Sequence, residues 1–304
     1  MTSRIKRIKS EIKDLFKNKL DDNLIFYDTH DENVEILKVL MIGTSETPYI
    51  GGFLFFTIRF SDKYPSEPPK VWFYTTNSKM RLNPNLYNNG KVCLSIINTW
   101  GSQDNWTSDM SARSVLLSIQ SMVLCNDPLR NEPGLYLNPS KITNYNNVVR
   151  YCVVNIAILQ NLKEIKPYYL ENNIKNDLVD FSCFKEIINH HFITNIDSYI
   201  SDVKNLYWKH GNSIVKFQHP YEPNKFTCNY IDVMKELVNI YQSLTNSSDK
   251  NFYSLLEDTT LDKLTKKSLI NICRKNKIRK YSKLKKKDII NLIKIKNETF
   301  QILI

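Results

Sequence analysis

Four strand-like runs lie so close together in this chain that they can pair in only one way. They fall at about 23–28, 34–42, 52–60 and 70–75, and the breaks between them carry turn chemistry at Gly43-Thr44, Gly51-Gly52 and Asp62–Tyr64. Parallel pairing needs a crossover of roughly a dozen residues or more, usually a helix, and the breaks are too short to hold one. An antiparallel meander is what remains. Within Phe53–Phe60 the apolar alternation is only partial, with Thr57 and Arg59 on one face. Ahead of the meander, Ile5, Ile8, Ile12, Leu15 and Phe16 recur at helical spacing, with Arg4, Arg7, Lys9 and Lys13 elsewhere on the same helix. Behind it, amphipathic patterns predict helices near 112–125, 144–162, 176–211, 229–244, 265–276 and 286–295. Pro167 interrupts them, and Thr245–Lys250 reads as a polar linker. Strands followed by helices make the class α+β.

The remaining composition bounds what such a chain does. Residues 258–304 hold fourteen Lys/Arg against four Asp/Glu, while residues 1–257 balance 28 basic against 27 acidic. The basic character therefore belongs to the tail, and so would a polyanionic partner. The six cysteines are scattered, without a C-x-x-C pair, which argues for a reducing compartment and against a disulfide framework or a zinc site. Met1–Lys19 is charged throughout and does not resemble a secretory signal, and no apolar run reaches the length of a bilayer span. The expected location is intracellular, cytoplasmic or nuclear. The bias toward Asn, Ile and Lys fits an AT-rich genome such as that of a large DNA virus or a protist, and a viral protein would act inside its host's cell.

Between the meander and the next helix lies a long irregular stretch, 76–112, rich in Asn and Ser; long loops inside compact domains are usually functional. It contains Arg81-Leu-Asn-Pro-Asn-Leu-Tyr-Asn-Asn-Gly-Lys-Val-Cys-Leu-Ser95. A thiolate is a strong nucleophile and an acyl thioester a good donor to amines; such a site also needs a donor for the tetrahedral oxyanion. Cys93 could supply the sulfur and Asn85 the donor. A cysteine between Val92 and Leu94 equally reads as a buried packing residue, and Asn83, Asn85, Asn88 and Asn89 as turn formers. His190-His191 has no carboxylate or cysteine at metal spacing, and no glycine-rich phosphate loop occurs, so neither a metal nor another cofactor is expected.

A wider pattern separates the two readings. Tyr49-Ile-Gly-Gly-Phe53, Tyr64-Pro-Ser-Glu-Pro-Pro-Lys70, Asn83-Pro-Asn85, Gly90-Lys-Val-Cys-Leu94 and Trp106 occur in the order and at the spacing of the ubiquitin-conjugating (E2) family, which this chain resembles. Asn89–Ser95, Thr99-Trp100-Gly101, Leu117–Ser121 and Asn131–Gly134 make it most similar to the extended Z-type and O-type members. The resemblance implies a UBC fold over 1–165 and, more weakly, a helical extension at 166–245; the chain's own pattern adds a linker at 246–257 and a basic module at 258–304. It implies that Cys93 receives ubiquitin or a ubiquitin-like protein as a thioester from an E1 activating enzyme and passes it to a lysine. Asn85 matches the Asn of the family's His-Pro-Asn motif. Asn83 stands where the His is usual and, with Pro84, is expected to shape the loop. Glu132 matches the acidic gate beside the thioester, with Asp127 the competing candidate. In the family, E3 ligases dock on a bulky side chain after Tyr-Pro and on a Ser-Pro-Ala stretch after Trp. Ser66 and Thr107-Ser108-Asp109 stand there instead, so the resemblance implies atypical docking of any ligase.

The tail resembles the helix–extended–helix modules of the SAP and Rho N-terminal type. Arg274, Lys275, Lys277, Arg279, Lys280, Lys283, Lys285, Lys286 and Lys287 are its candidates for contact with the phosphates of DNA or RNA. A solvated basic bundle or a protein-docking tail fits the same charges. A non-catalytic E2-like adaptor that tethers partners to nucleic acid is the alternative to an enzyme.

Overall fold

The structure is a computed structural model that describes residues 3–30, 33–75, 81–101, 105–135, 137–165, 168–169, 178–210, 215–218, 225–246, 265–275, 278–279, 281 and 283–301. The chain divides into two compact units, Met1–Ile188 with Gln218–Asn224, and Asn189–Phe217 with Lys225–Ile304.

In the first unit, α1 (Ser3–Lys17) precedes the strands β1 (Ile25–His30), β2 (Asn33–Ile42), β3 (Phe53–Arg59) and β4 (Lys70–Phe73). They pair in sequence order, each antiparallel to the next, as the short breaks require. The inner face of α1 is not purely apolar, as its periodicity predicts. Ile8 and Leu15 are buried, but so is Glu11, while Phe16 stays 42% exposed. Glu11 is drawn inside because three donors converge on it. Its Oε1 accepts from the Tyr64 hydroxyl at 2.6 Å and from Arg7 Nε at 2.5 Å, and its Oε2 accepts from the Ala112 amide at 2.9 Å. Ala112 begins α2 (Ala112–Ser118), so the carboxylate lies at the positive end of that helix, beside a Ser111/Ser114 capping box.

From Ile119 to Val123 the α2 helix runs on with π-type hydrogen bonding. The next helix, α3 (Pro139–Cys152), starts earlier than the predicted 144, because Asn138 accepts from the Lys141 amide and Pro139 opens the first turn. It passes through a π-helical stretch, Val153–Gln160, into α4 (Asn161–Lys163). Gly52 permits a close approach here: a Cβ on it would lie 2.6 Å from Val153 Cγ1.

The partial alternation of β3 has a structural cause. β2 is buried without a break from Ile36 to Ile42 and β3 from Phe53 to Ile58, so the sheet is covered on both faces. On the face that carries Phe55, Phe181 stacks at 4.7 Å between ring centroids, and Phe184 lies parallel at 6.5 Å. These rings come from a segment predicted to be helical from 176. Instead, Leu178–Val179 forms β6 against β5 (Tyr168–Tyr169), and α5 (Lys185–Thr194) begins only after a turn. The Asp180 carboxylate accepts from the Ser182 amide at 2.8 Å and from its hydroxyl at 2.6 Å, which makes that turn and breaks the helix.

In the second unit α6 (Ile196–His210) packs on α7 (Tyr230–Thr245), which Asn229 caps, and β7 (Val215–Gln218) and β8 (Lys225–Cys228) form a two-stranded sheet. Two tail helices, α8 (Lys266–Lys275) and α9 (Lys286–Gln301), pack together with Leu269, Cys273, Ile289, Ile290 and Ile293 buried. Among the described residues no helix is long and apolar enough to cross a membrane.

Glu11→Ala would leave the Tyr64 hydroxyl and the Ala112 amide buried without an acceptor. A loss of about 2–4 kcal/mol is expected in urea unfolding, with a smaller loss for Glu11→Gln, which keeps one acceptor. An unchanged unfolding midpoint for E11A would exclude this anchoring role.

Candidate functional site

The irregular stretch is held at its centre by Asn83, which is fully buried. Its Nδ2 donates to the Val123 carbonyl at 2.7 Å and to the Tyr49 hydroxyl at 3.1 Å, and its Oδ1 accepts from the Asn85 amide at 2.7 Å. Tyr49 in turn donates to the Leu82 carbonyl at 2.7 Å, and complete burial pushes its phenol well above the ordinary range. Both donors and one acceptor position of the amide are thus used within the protein. Arg81 donates to the Pro84 carbonyl and stacks 4.0 Å over the Tyr87 ring, which braces the same turn from outside.

Asn85 and Cys93 face each other across this turn. The Cys93 amide donates to the Asn85 carbonyl at 2.9 Å, and Asn85 Nδ2 donates to the Cys93 carbonyl at 2.6 Å. The residues between them form a tight loop, with Gly90 at φ +84; a Cβ at that position would stand 2.9 Å from the Phe73 carbonyl. Gly90 also accepts from the Phe73 amide at 2.8 Å, which fastens the loop to β4. On the far side the Thr99 hydroxyl accepts from the Leu94 amide at 2.8 Å and donates to the Val92 carbonyl at 2.9 Å, fixing the exit from Cys93. Asn85 Oδ1 is buried and accepts no hydrogen bond among the described residues. A buried acceptor costs about 1–3 kcal/mol unless water or a ligand reaches it. Cys93 is a free thiol, and only 3% of the residue is exposed.

The two acidic candidates lie on the turn after α2. Asp127 pairs with Arg130 at 3.0 Å and accepts from Asn146 Nδ2 at 3.3 Å, while Glu132 is half-buried just beyond the 3₁₀ turn Pro128–Asn131. Among the described residues, the hydrogen bonds of Cys93 and Asn85 run to each other and to Asn83 rather than to either carboxylate. Cys125, close by, is half-buried, and burial pushes its thiol up. Tyr49 and Thr99 belong to runs that carry the family resemblance, but nothing in the sequence marked their hydroxyls, or the Val123 carbonyl, as braces of the site. A hydroxyl used for bracing carries no local signal, and a carbonyl carries none at all.

In the tail, Arg274, Arg279, Lys283, Lys285, Lys286 and Lys287 are exposed while the apolar faces of α8 and α9 are buried. The side chain of Lys275, and Lys277 and Lys280 altogether, lie outside the described residues. Of the histidine pair, His190 is exposed, and His191 Nδ1 lies 3.2 Å from the Tyr199 hydroxyl, with burial lowering its pKa. Among the described residues no cluster of side chains could hold a metal ion.

The family model described as ubiquitin-conjugating enzyme matches residues 7–153. Ubiquitin-conjugating enzyme E2 Z of Homo sapiens is 40% identical over 155 residues, which cover 50% of this chain and 43% of that protein. The dual E2 ubiquitin-conjugating enzyme/E3 ubiquitin-protein ligase BIRC6 of Homo sapiens is 37% identical over 178 residues, 55% of this chain and 3% of that protein. A crystal structure of a ubiquitin conjugating enzyme E2 from Plasmodium falciparum is 30% identical, with a TM-score of 0.33, over 38% of this chain and 94% of that one. The chain spans half or less of the first curated relatives it matches.

Asn83→Ala would remove its bonds to the Tyr49 hydroxyl, the Val123 carbonyl and the Asn85 amide together. A loss of about 2–4 kcal/mol is expected, and amides 85–94 should exchange hydrogen faster than those of β2. Equal exchange rates in the two segments would show that the peg does not govern the turn.

Proposed function

The chain belongs to the ubiquitin-conjugating enzyme family, and on that premise we propose that it carries ubiquitin or a ubiquitin-like protein as a thioester on Cys93 and transfers it to a lysine amine. In the first step Cys93 Sγ attacks the acyl carbon of the modifier's C-terminus on an E1 enzyme, whose thiol leaves. In the second the lysine amine attacks that carbon, the Cys93–acyl bond breaks, and the amine's proton passes to a base or solvent. Both steps develop an oxyanion, and the Asn85 amide is the donor suited to it. Glu132, or Asp127 if it gives up Arg130, is the carboxylate suited to orienting the amine. The observation that carries the reading is the mutual clasp of Asn85 and Cys93, at 2.6 and 2.9 Å, within an irregular loop pinned on both sides. Since only 3% of Cys93 is exposed, loading a bulky acyl group requires its neighbours to move aside.

A second reading, a non-catalytic adaptor, draws on that same burial of Cys93. In both readings the exposed basic residues of the tail bind DNA or RNA phosphates, and unaided ligase docking through Ser66 and Thr107–Asp109 is weak. Residence in the nucleus or the cytoplasm follows from the partners.

Incubated with E1, ATP and a panel of modifiers, the chain should give a reductant-sensitive adduct that Cys93→Ala abolishes. An adduct that persists in C93A overturns the assignment, and no adduct with any modifier favours the adaptor. Asn85→Ala should still charge but should discharge to lysine roughly 10²–10³-fold more slowly.

Deleting 258–304 should leave charging intact and abolish salt-sensitive retention on nucleic acid. Equal retention of the two chains would remove the tail's proposed role.

A further inference from the structure

Lys38 is an anomaly in the middle of the sheet. It lies on β2 opposite Asp28 of β1 and Thr57 of β3, and its side chain is only 5% exposed. An ammonium offers three donors, and burying one is costly unless they are used. Its Nζ is 3.9 Å from Asp28 Oδ2, a long contact to a carboxylate that is itself 41% exposed. The turn that carries Cys183 covers this same face. Thr57, opposite Lys38, meets the Tyr74 hydroxyl at 3.1 Å, and Phe181 packs on Tyr74 and Phe55. That sets Cys183 near enough for Lys38 and Asp28 to act on its thiol. The turn that carries Cys183 is not free to drift, because Phe181 and Phe184 on either side of it stack over Phe55 of the same sheet. Cys183 itself is exposed and stands in no disulfide. Burial of its sulfur pushes its pKa up to about 11, so at neutral pH little thiolate is present for exchange with soluble disulfides. A fixed amine, a fixed thiol and an adjacent carboxylate, open to small oxidants, thus meet where the segment 178–184 covers the sheet.

We propose that Cys183 and Lys38 form an oxidative cross-link through a single oxygen atom, Sγ–O–Nζ, which locks this segment onto the sheet. The oxidant is molecular oxygen. One O2 is consumed per bridge: the thiol loses its hydrogen and the neutral amine one of its two. One oxygen atom bonds sulfur to nitrogen, and the other leaves with the two hydrogens as water. From its ammonium form the lysine first gives a proton to Asp28 or to solvent. Two equivalents of a dithiol reverse the bridge: each is oxidised to a disulfide, the S–O and O–N bonds break, the oxygen leaves as water, and the free thiol and amine return. In the reduced state the segment is held by non-covalent packing, with Phe181 and Phe184 stacked over Phe55. In the oxidised state residues 38 and 183 are covalently joined. The modification is independent of any chemistry at Cys93.

The test exposes the full-length chain to air-saturated buffer without reductant, digests it and maps the peptides by mass spectrometry. The expected product is a linked pair of peptides, one containing Lys38 and the other Cys183, with the mass of the two plus one oxygen less two hydrogens. Dithiothreitol should abolish it, and the oxidised chain should melt at a higher temperature than the reduced one. Cys183→Ser, a conservative change at an exposed position, should remove both the linked pair and the difference in melting temperature. Lys38→Arg should remove the linked pair while leaving Cys183 oxidisable. A linked pair lacking the oxygen, or no linked pair at all, whether Cys183 stays reduced or runs on to sulfinic acid, overturns the proposal.

Discussion

One buried amide organises the loop around Cys93. Asn83 sits where the hairpin before β3, the end of the α2 helix and the loop leading to Cys93 all converge, and it bonds to each of them. An amide does this because its donor and acceptor ends point in opposite directions, whereas a hydroxyl or a carboxylate could satisfy only part of the set. With that peg in place, the Asn85 amide enters the turn at a defined angle, and its own side chain closes on the Cys93 carbonyl. The site's geometry is therefore inherited from a core hydrogen bond rather than from the loop's own preferences.

A second constraint is electrostatic and acts on the other side of the unit. Glu11 ties α1 to Tyr64 and to the first amide of α2, so that two helices distant in sequence share one acceptor. Because α2 runs on to Val123, whose carbonyl receives Asn83, the carboxylate on α1 and the turn at Cys93 are joined by one continuous helical stretch. Burial of a charged group on an otherwise apolar face is the cost of that connection, offset by its full complement of donors.

Much of this was legible beforehand, for reasons that can be named. The meander followed from breaks too short for a crossover, and the tail helices from apolar periodicity with basic residues kept off the inner face. The helical span from 176 misread its segment, because Phe181 and Phe184 at three-residue spacing look helical on paper. In the folded chain they are rings laid over Phe55, with Asp180 making the turn. Glu11 was invisible for a similar reason: a single carboxylate among apolar residues reads as surface until its three donors are in view.

The sequence by itself determined the order and direction of the strands, the segregation of charge into the tail and the pairing of an asparagine with a cysteine across a Pro- and Gly-shaped loop. These are local properties, set by chain length between elements and by which residues tolerate a turn. Only the tertiary structure decided how deep Cys93 lies, that the sheet is covered on both faces, and that Lys38 is enclosed beside Asp28 and Cys183. Burial is conferred by segments remote along the chain, such as the carbonyl forty residues from Asn83, and no local pattern records which of them will arrive.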